Sequence, residues 1–320
     1  MHTEEYILAK DTEFNINKIE IPVFKKEELE LIEGYVEFTR HFQEINQLFH
    51  IFKVNLEIML ANYSLKVNDV ITRKKDFLFE ENDGIVINAL VINYISSAIT
   101  FVESIETFIK YLLGEDNLEE FKEKTLSKIY DEKFSYRLLK HLRNYSQHGH
   151  LPVSIDINNR CYFELEHILN TPHFTHNKKL KDEMESIKKA VLEEFDDNAR
   201  IMFTRTLAEY EILILEVYKD FIEFIFDKLS FYKKEIDLLI IENPKIIYNS
   251  KDELNGFVIY KIEDNNVHCF DPKDNPQEMI KQIKQEVLEE LNIKKEQFKK
   301  IFSLKVSKEI PYSIKAQENH

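Results

Sequence analysis

One stretch of this chain is built unlike the rest. Between Lys133 and Ile155 stand Lys133, Arg137, Lys140 and Arg143 with His141, His148 and His150, and no Asp or Glu. The whole chain carries 58 acids in 320 residues, so a stretch of this length should hold about four. An anion would settle there. Inside it, Arg143-Asn144-Tyr145-Ser146-Gln147-His148 sets a permanent cation, an amide and an imidazole close together. An imidazole with a pKa of about 6.5 can take a proton from a ribose 2′-hydroxyl at neutral pH, or give one to a leaving 5′-oxygen. A forked guanidinium suits phosphate oxygens as negative charge builds on them. Arg143, Asn144 and His148 are therefore the catalytic candidates, with Asn144 placed to orient the histidine or a phosphate oxygen. Arg137, Lys140, His141, His150 and Tyr145 are the substrate-binding candidates: charge for phosphates, and a phenol for stacking a base.

Spacing limits what these residues can do alone. On a helix Asn144 and His148 stand at i and i+4 and share a face, whereas Arg143 points about 140° away from His148. The long arginine side chain, or fraying of the last turn at Gly149, would have to bring them together. His150 is the alternative catalytic histidine. One such set holds one proton-transfer group, while transesterification is served by a base and an acid. A second copy across a two-fold axis would supply the other.

The hexapeptide resembles the Arg-polar-x-x-x-His signature of the HEPN superfamily, helical bundles that are often metal-independent ribonucleases in toxin, antiphage and other RNA-cutting systems. With Asn after Arg, the pattern is expected by chance only about 0.02 times in this composition. The resemblance covers residues 85–235 as a bundle, and within it the hexapeptide is the specific part. It implies an RNA substrate, no metal or other cofactor, and a homodimer with a composite site. It also implies, for a toxin or antiphage effector, an antitoxin or regulatory protein partner. The residues themselves leave open a non-catalytic helical module binding RNA, a nucleotide or a protein, and a structural dimerisation protein.

The elements that must position these residues are helices. With 5 Gly and 7 Pro in 320 residues and 43% hydrophobic content, the expected class is mainly α: a helical bundle with a small α+β C-terminal appendage. Leu31, Tyr35, Phe38, Phe42, Ile45, Phe49, Phe52, Leu56 and Met59 recur at steps of three and four, one seam along a long helix that could serve the core or a dimer. A second helix is expected over 85–113, closed by Gly114. Shorter helices are expected over 118–130 and 134–147, and a long helical region over 178–232. Irregular chain with a strand near Cys161 is expected between the last two. After Pro244 the pattern becomes a hairpin, 256–262 and 267–270, followed by a helix with Pro276 in its first turn. The expected divisions are an N-terminal arm or strand over 1–24, the bundle over 25–242, and the appendage with a polar tail over 243–320.

Other signals point less far. A net charge of −15 disfavours nucleic acid and anionic membranes over most of the surface, so any RNA contact must be local. Two widely spaced cysteines, Cys161 and Cys269, and an N-terminus without a basic-then-apolar leader suit a cytoplasmic protein. The uncharged run from Gly84 to Val102 carries Asn88, Asn93, Ser96, Ser97 and Thr100, which favours a buried bundle helix over a membrane span. His167, His173 and His176 beside Glu164 and Glu166 fit no zinc pattern, and Asp271–Asp274 lacks the glycine and terminal glutamate of a calcium loop.

Overall fold

The computed structural model describes residues 6–9, 26–73, 81–155, 160–171, 174, 177–195, 199–242, 258–263, 266–270, 276–302 and 312–313. Over these the protein is mainly α-helical, as expected. The helices are α1 (Lys26–Arg73), α2 (Glu81–Leu113), α3 (Glu115–Phe121), α4 (Lys128–Glu132), α5 (Phe134–Gln147), α6 (Leu165–Leu169), α7 (Lys178–Phe195), α8 (Phe203–Glu242) and α9 (Pro276–Phe302). The strands are β1 (Tyr6–Ala9), β2 (Ser154–Ile155), β3 (Cys161–Glu164), β4 (Arg200–Met202), β5 (Val258–Glu263), β6 (Asn266–Phe270) and β7 (Tyr312–Ser313).

The chain forms two compact units, residues 1–43 with 219–287, and residues 44–218 with 288–320. They are interleaved in sequence, and the composition shift at 242/243 falls inside the first unit. The reason is strand pairing between distant segments. In the first unit β5 and β6 form the expected hairpin, with Ile259 opposite Phe270 and Glu263 opposite Asn266. β1 adds to it antiparallel, Tyr6 opposite Lys261, so the N-terminal strand and the hairpin make one sheet. Tyr35, Phe38 and Phe42 of α1, Phe221, Ile222 and Ile225 of α8, and Ile280 of α9 are buried in this unit. Phe42 stacks on Phe221 with centroids 6.4 Å apart.

The second unit carries the acid-free stretch. Ile45, Phe49, Phe52, Leu56 and Met59 of α1 are buried, so the seam offered as a dimerisation surface lies inside the chain. Phe49 meets Tyr218 at 4.5 Å and Phe101 at 5.4 Å, and Phe52 meets Tyr94 at 5.2 Å. The hydroxyls of Tyr94 and Tyr210 are pushed far above their usual range by burial, which keeps these phenols neutral. The region over 178–232 is two helices, because Arg200–Met202 leaves the helix to pair with β3, Phe163 opposite Ile201. Those two side chains are fully buried, so the pairing adds to the core.

Two glycines end helices as the sequence suggests. Gly114, at φ +92°, donates its N–H to Lys110 O at 3.1 Å and turns the chain from α2 into α3. The expected helix over 118–130 is α3 and α4 joined by a π-helical turn, Lys122–Ser127. Lys133 is extended and breaks the path before α5.

α2 is by length and composition apolar enough to cross a membrane, and half of its apolar window is buried within the protein. Its one buried amide holds the stretch after α5. Asn88, 3% exposed, donates Nδ2–H to Val153 O at 3.0 Å and accepts from Val153 N at 2.9 Å. Replacing Asn88 by alanine leaves both backbone groups of Val153 buried without partners. Such groups cost about 1–3 kcal/mol each, so Asn88→Ala should lower unfolding free energy by about 2–4 kcal/mol in a urea titration. A loss under ~1 kcal/mol would show that Asn88 does not clamp the segment.

Candidate functional site

α5 carries the site residues, and its end is built with care. His148 N–H reaches Asn144 O at 3.2 Å, Gly149 N–H reaches Ser146 O at 3.0 Å, and His150 N–H reaches Tyr145 O at 3.4 Å. With Gly149 at φ +86°, this is a Schellman closure whose capping residue is His148. The last turn is therefore closed by hydrogen bonds, and the fraying considered from the sequence is absent here. The closure folds His150 back so that its ring stacks on Tyr145, centroids 4.7 Å apart at 29°. Tyr145 is itself buried and packs edge-on against Phe174 at 6.0 Å. Tyr145 and His150 thus support the helix end, and the Tyr145 ring is not placed to stack a base.

Lys140, Asn144 and His148, at i, i+4 and i+8, are exposed together with Gln147. Around the helix from them, Arg143 points toward α2, where its Nη1 lies 3.7 Å from Glu103 Oε1. Two links fix how α5 lies on α2: Glu103 with Arg143, and Asn88 with Val153. As α2 is followed backward by 15 residues, roughly 22 Å, the partner segment advances from 143 to 153, so the pair is antiparallel. In one chain Arg143 meets Glu103 rather than His148.

The two arginines of α5 differ sharply. Arg137 is 1% exposed, and its guanidinium makes five hydrogen bonds. Nη2 donates to Glu183 Oε1 at 2.6 Å and Oε2 at 2.7 Å, Nε to Oε2 at 3.2 Å, and Nη1 to the carbonyls of Tyr130 and, at 2.7 Å, Asp131. Arg137 is a structural strut between α4, α5 and α7, with no donor left for phosphate, which corrects its assignment as a substrate-binding residue. Arg143 is 27% exposed at its side chain, its Nε is buried without a hydrogen-bond partner, and its closest acid stands beyond charge-assisted hydrogen-bond range.

His141 also faces inward. Its Nε2 lies 3.0 Å from the Tyr130 hydroxyl, which accepts from Asn177 Nδ2 at 2.6 Å. The hydroxyl thus links Asn177 to the His141 ring. Burial, and secondarily the charge of Lys140, hold the His141 pKa below its ordinary value. Lys140 itself lies over the Tyr130 ring at 5.4 Å. His141 is a core-lining histidine, whereas Lys140 keeps an exposed ammonium beside Asn144.

A cleft of about 930 Å³ opens at the other end of α5, against α7. Lys133, Lys178 and Lys179 line it with Glu132, Asp182 and Glu209, beside the Arg137–Glu183 pair. Its charges balance, and it does not include Asn144 or His148. Among the described residues no group of three His, Cys, Asp or Glu could hold a metal ion. His173, His176 and Asp271–Asn275 lie outside the described residues. Sequence reading passed over Glu103, although it is the first charge after the apolar run of α2. It also passed over Tyr130 and Asn177, which nothing in their neighbourhood marks.

Two outcomes follow. Arg137→Ala should cost about 2–4 kcal/mol of stability in urea, by stranding Glu183 and two carbonyls. Because the folded pKa of His141 is depressed, its contribution is present above the unfolded value of about 6.5 and lost as pH falls through the folded value. Melting temperature should drop on acidification below about pH 6.5, and His141→Gln should flatten that drop. No family model, no curated protein and no solved structure matches this chain.

Proposed function

We propose that this protein is a HEPN-like endoribonuclease that cuts RNA without a metal ion, at a site completed by a second copy of the chain. One observation carries the reading: of the two arginines on α5, Arg143 alone is partly exposed and only loosely paired, with Glu103 at 3.7 Å, and it borders an exposed, acid-free strip that presents Asn144 and His148. In the reaction His148 of one chain takes the 2′-hydroxyl proton, and the 2′-oxygen attacks phosphorus. The bond to the 5′-oxygen breaks, and the partner subunit's His148 returns a proton to that oxygen. The strand ends in a 2′,3′-cyclic phosphate. Arg143 stabilises the charge that builds on the non-bridging oxygens.

Dimerisation has local support. Leu151, just beyond the motif, and Ile85 and Val86 at the start of α2 are exposed apolar residues at the end of the α2–α5 pair that the Asn88–Val153 link defines. A second reading, RNA binding without cleavage, is favoured by the turn of Arg143 toward Glu103 and away from His148. It serves a restrained effector or a module that only docks RNA.

Purified protein incubated with mixed RNA in EDTA separates the two. Cleavage should fall at least about 100-fold in both Arg143→Ala and His148→Ala, and a 2′-deoxy strand should stay intact. If His150→Ala is inert while His148→Ala cuts normally, the histidine assignment is wrong. An inert wild type that still binds RNA through Arg143 selects the second reading.

A further inference from the structure

We infer that Glu103 is a tethered counter-ion that occupies Arg143 until an RNA phosphate displaces it, and so sets the affinity of the site; this rests on the reading of Arg143 as the phosphate-binding group. Glu103 sits on α2 with its side chain 59% exposed, and Arg143 faces it from α5 with 27%. Their closest approach, 3.7 Å, is about 1 Å longer than a charge-assisted hydrogen bond. This pair is loosely held. Six residues earlier on the same helix Arg137 shows what a settled arginine looks like here: a bidentate carboxylate at 2.6–3.2 Å and two carbonyls.

The Nε of Arg143 is buried, as are those of Arg200 and Arg205, so the part of the guanidinium that a ligand can reach is its Nη end. A phosphodiester there can take both Nη groups together, which the carboxylate, with its nearer oxygen 3.7 Å from Nη1, does not. Glu103 instead faces the same guanidinium from a solvent-exposed position, where its attraction is screened and modest. It is strong enough to keep the arginine extended toward α2 and weak enough to yield. The α2–α5 pairing that places it is fixed independently by Asn88 and Val153, so the carboxylate cannot drift far when it is displaced. It then stands beside the bound strand as a like charge. Removing that charge should tighten RNA binding through Arg143.

Binding of a fluorescent 2′-O-methyl oligoribonucleotide, which cannot be cut at its 2′-position, tests this separately from catalysis. Glu103→Gln in the full chain should bind about two- to fivefold tighter than wild type at low salt, with the gain shrinking as salt rises. The same substitution in an Arg143→Ala background should bring no gain. Matching melting curves for Glu103→Gln and wild type establish that the fold is intact. An equal gain in both backgrounds would make the effect one of net charge and overturn the inference, as would no gain from Glu103→Gln alone, with Arg143 in place. Should the protein prove unable to cut RNA while the gain through Arg143 appears, the counter-ion role stands and the cleavage reading falls.

Discussion

The site depends on one buried amide. Asn88 stands near the start of a buried helix face otherwise made of Ile, Val, Ala, Tyr and Phe, a position where an unpaired polar group would be costly. It is tolerated because the Val153 backbone supplies both of its complements, a donor and an acceptor, at 2.9 and 3.0 Å. That two-point contact works like one rung of a sheet between a side chain and a main chain. It sets the register of everything between the end of α5 and β2. With the Schellman closure fixing the first half of that loop and Asn88 fixing the second, His148, Gly149, His150 and Leu151 are bounded on both sides. Without it the capping histidine would sit on a loop free to move.

Two arginines on one helix, one turn and a half apart, meet opposite fates because of what faces them. Arg137, itself buried, meets the partly exposed Glu183 on α7 and two carbonyls left over at the end of α4. The electrostatic gain in that low-dielectric setting offsets the desolvation of the ion only because every donor is taken. Arg143 meets the outer edge of α2, where the one acid is itself in water. Identical chemistry therefore gives a strut at one position and an available cation at the other. The difference is a property of neighbours 46 and 40 residues away in sequence, not of the helix.

That contrast explains how much could be read without coordinates. The helices of α1, α2 and α5, the hairpin of β5 and β6, and the stops at Gly114 and Gly149 are local: their periodicity and their punctuating residues lie within the segment itself. The Arg-Asn-x-x-x-His spacing is local too. What escaped reading is pairing at a distance. Nothing near Arg137 announces Glu183, and nothing in the stretch from Arg200 to Met202 marks it as a strand until Tyr162 to Glu164 are beside it. Likewise the eight-residue neighbourhood of Tyr6 holds no sign that its partners are Ile259 to Lys261. The division at 242/243 followed composition, whereas the units follow which strands pair. His141 resembles its neighbour Lys140 in sequence, but a helix turns 100° per residue, and that rotation exchanges solvent for Tyr130 and Phe174.

The charge of the whole chain and the charge of the strip act over different distances, and under the proposed function the difference constrains how an RNA strand would arrive. At physiological ionic strength a charge is felt over about 8 Å, so a strand beyond that distance meets little of the −15 and a strand on the surface meets only its nearest neighbours. Over most of the surface those neighbours include acids. Along Lys140, Asn144, Gln147 and His148 the helix supplies none, and among the described residues the acid paired with Arg143 is Glu103. Attraction is therefore short-ranged and confined, with no long-range funnel to speed the encounter. Lowering the salt strengthens both the contact at the strip and the repulsion by the rest of the chain. The affinity of such a site must therefore rise less steeply on dilution of salt than phosphate contacts alone would give. A protein arranged this way gains selectivity for strands already held close to it, for instance by a second copy bound to the same RNA, over strands met at random.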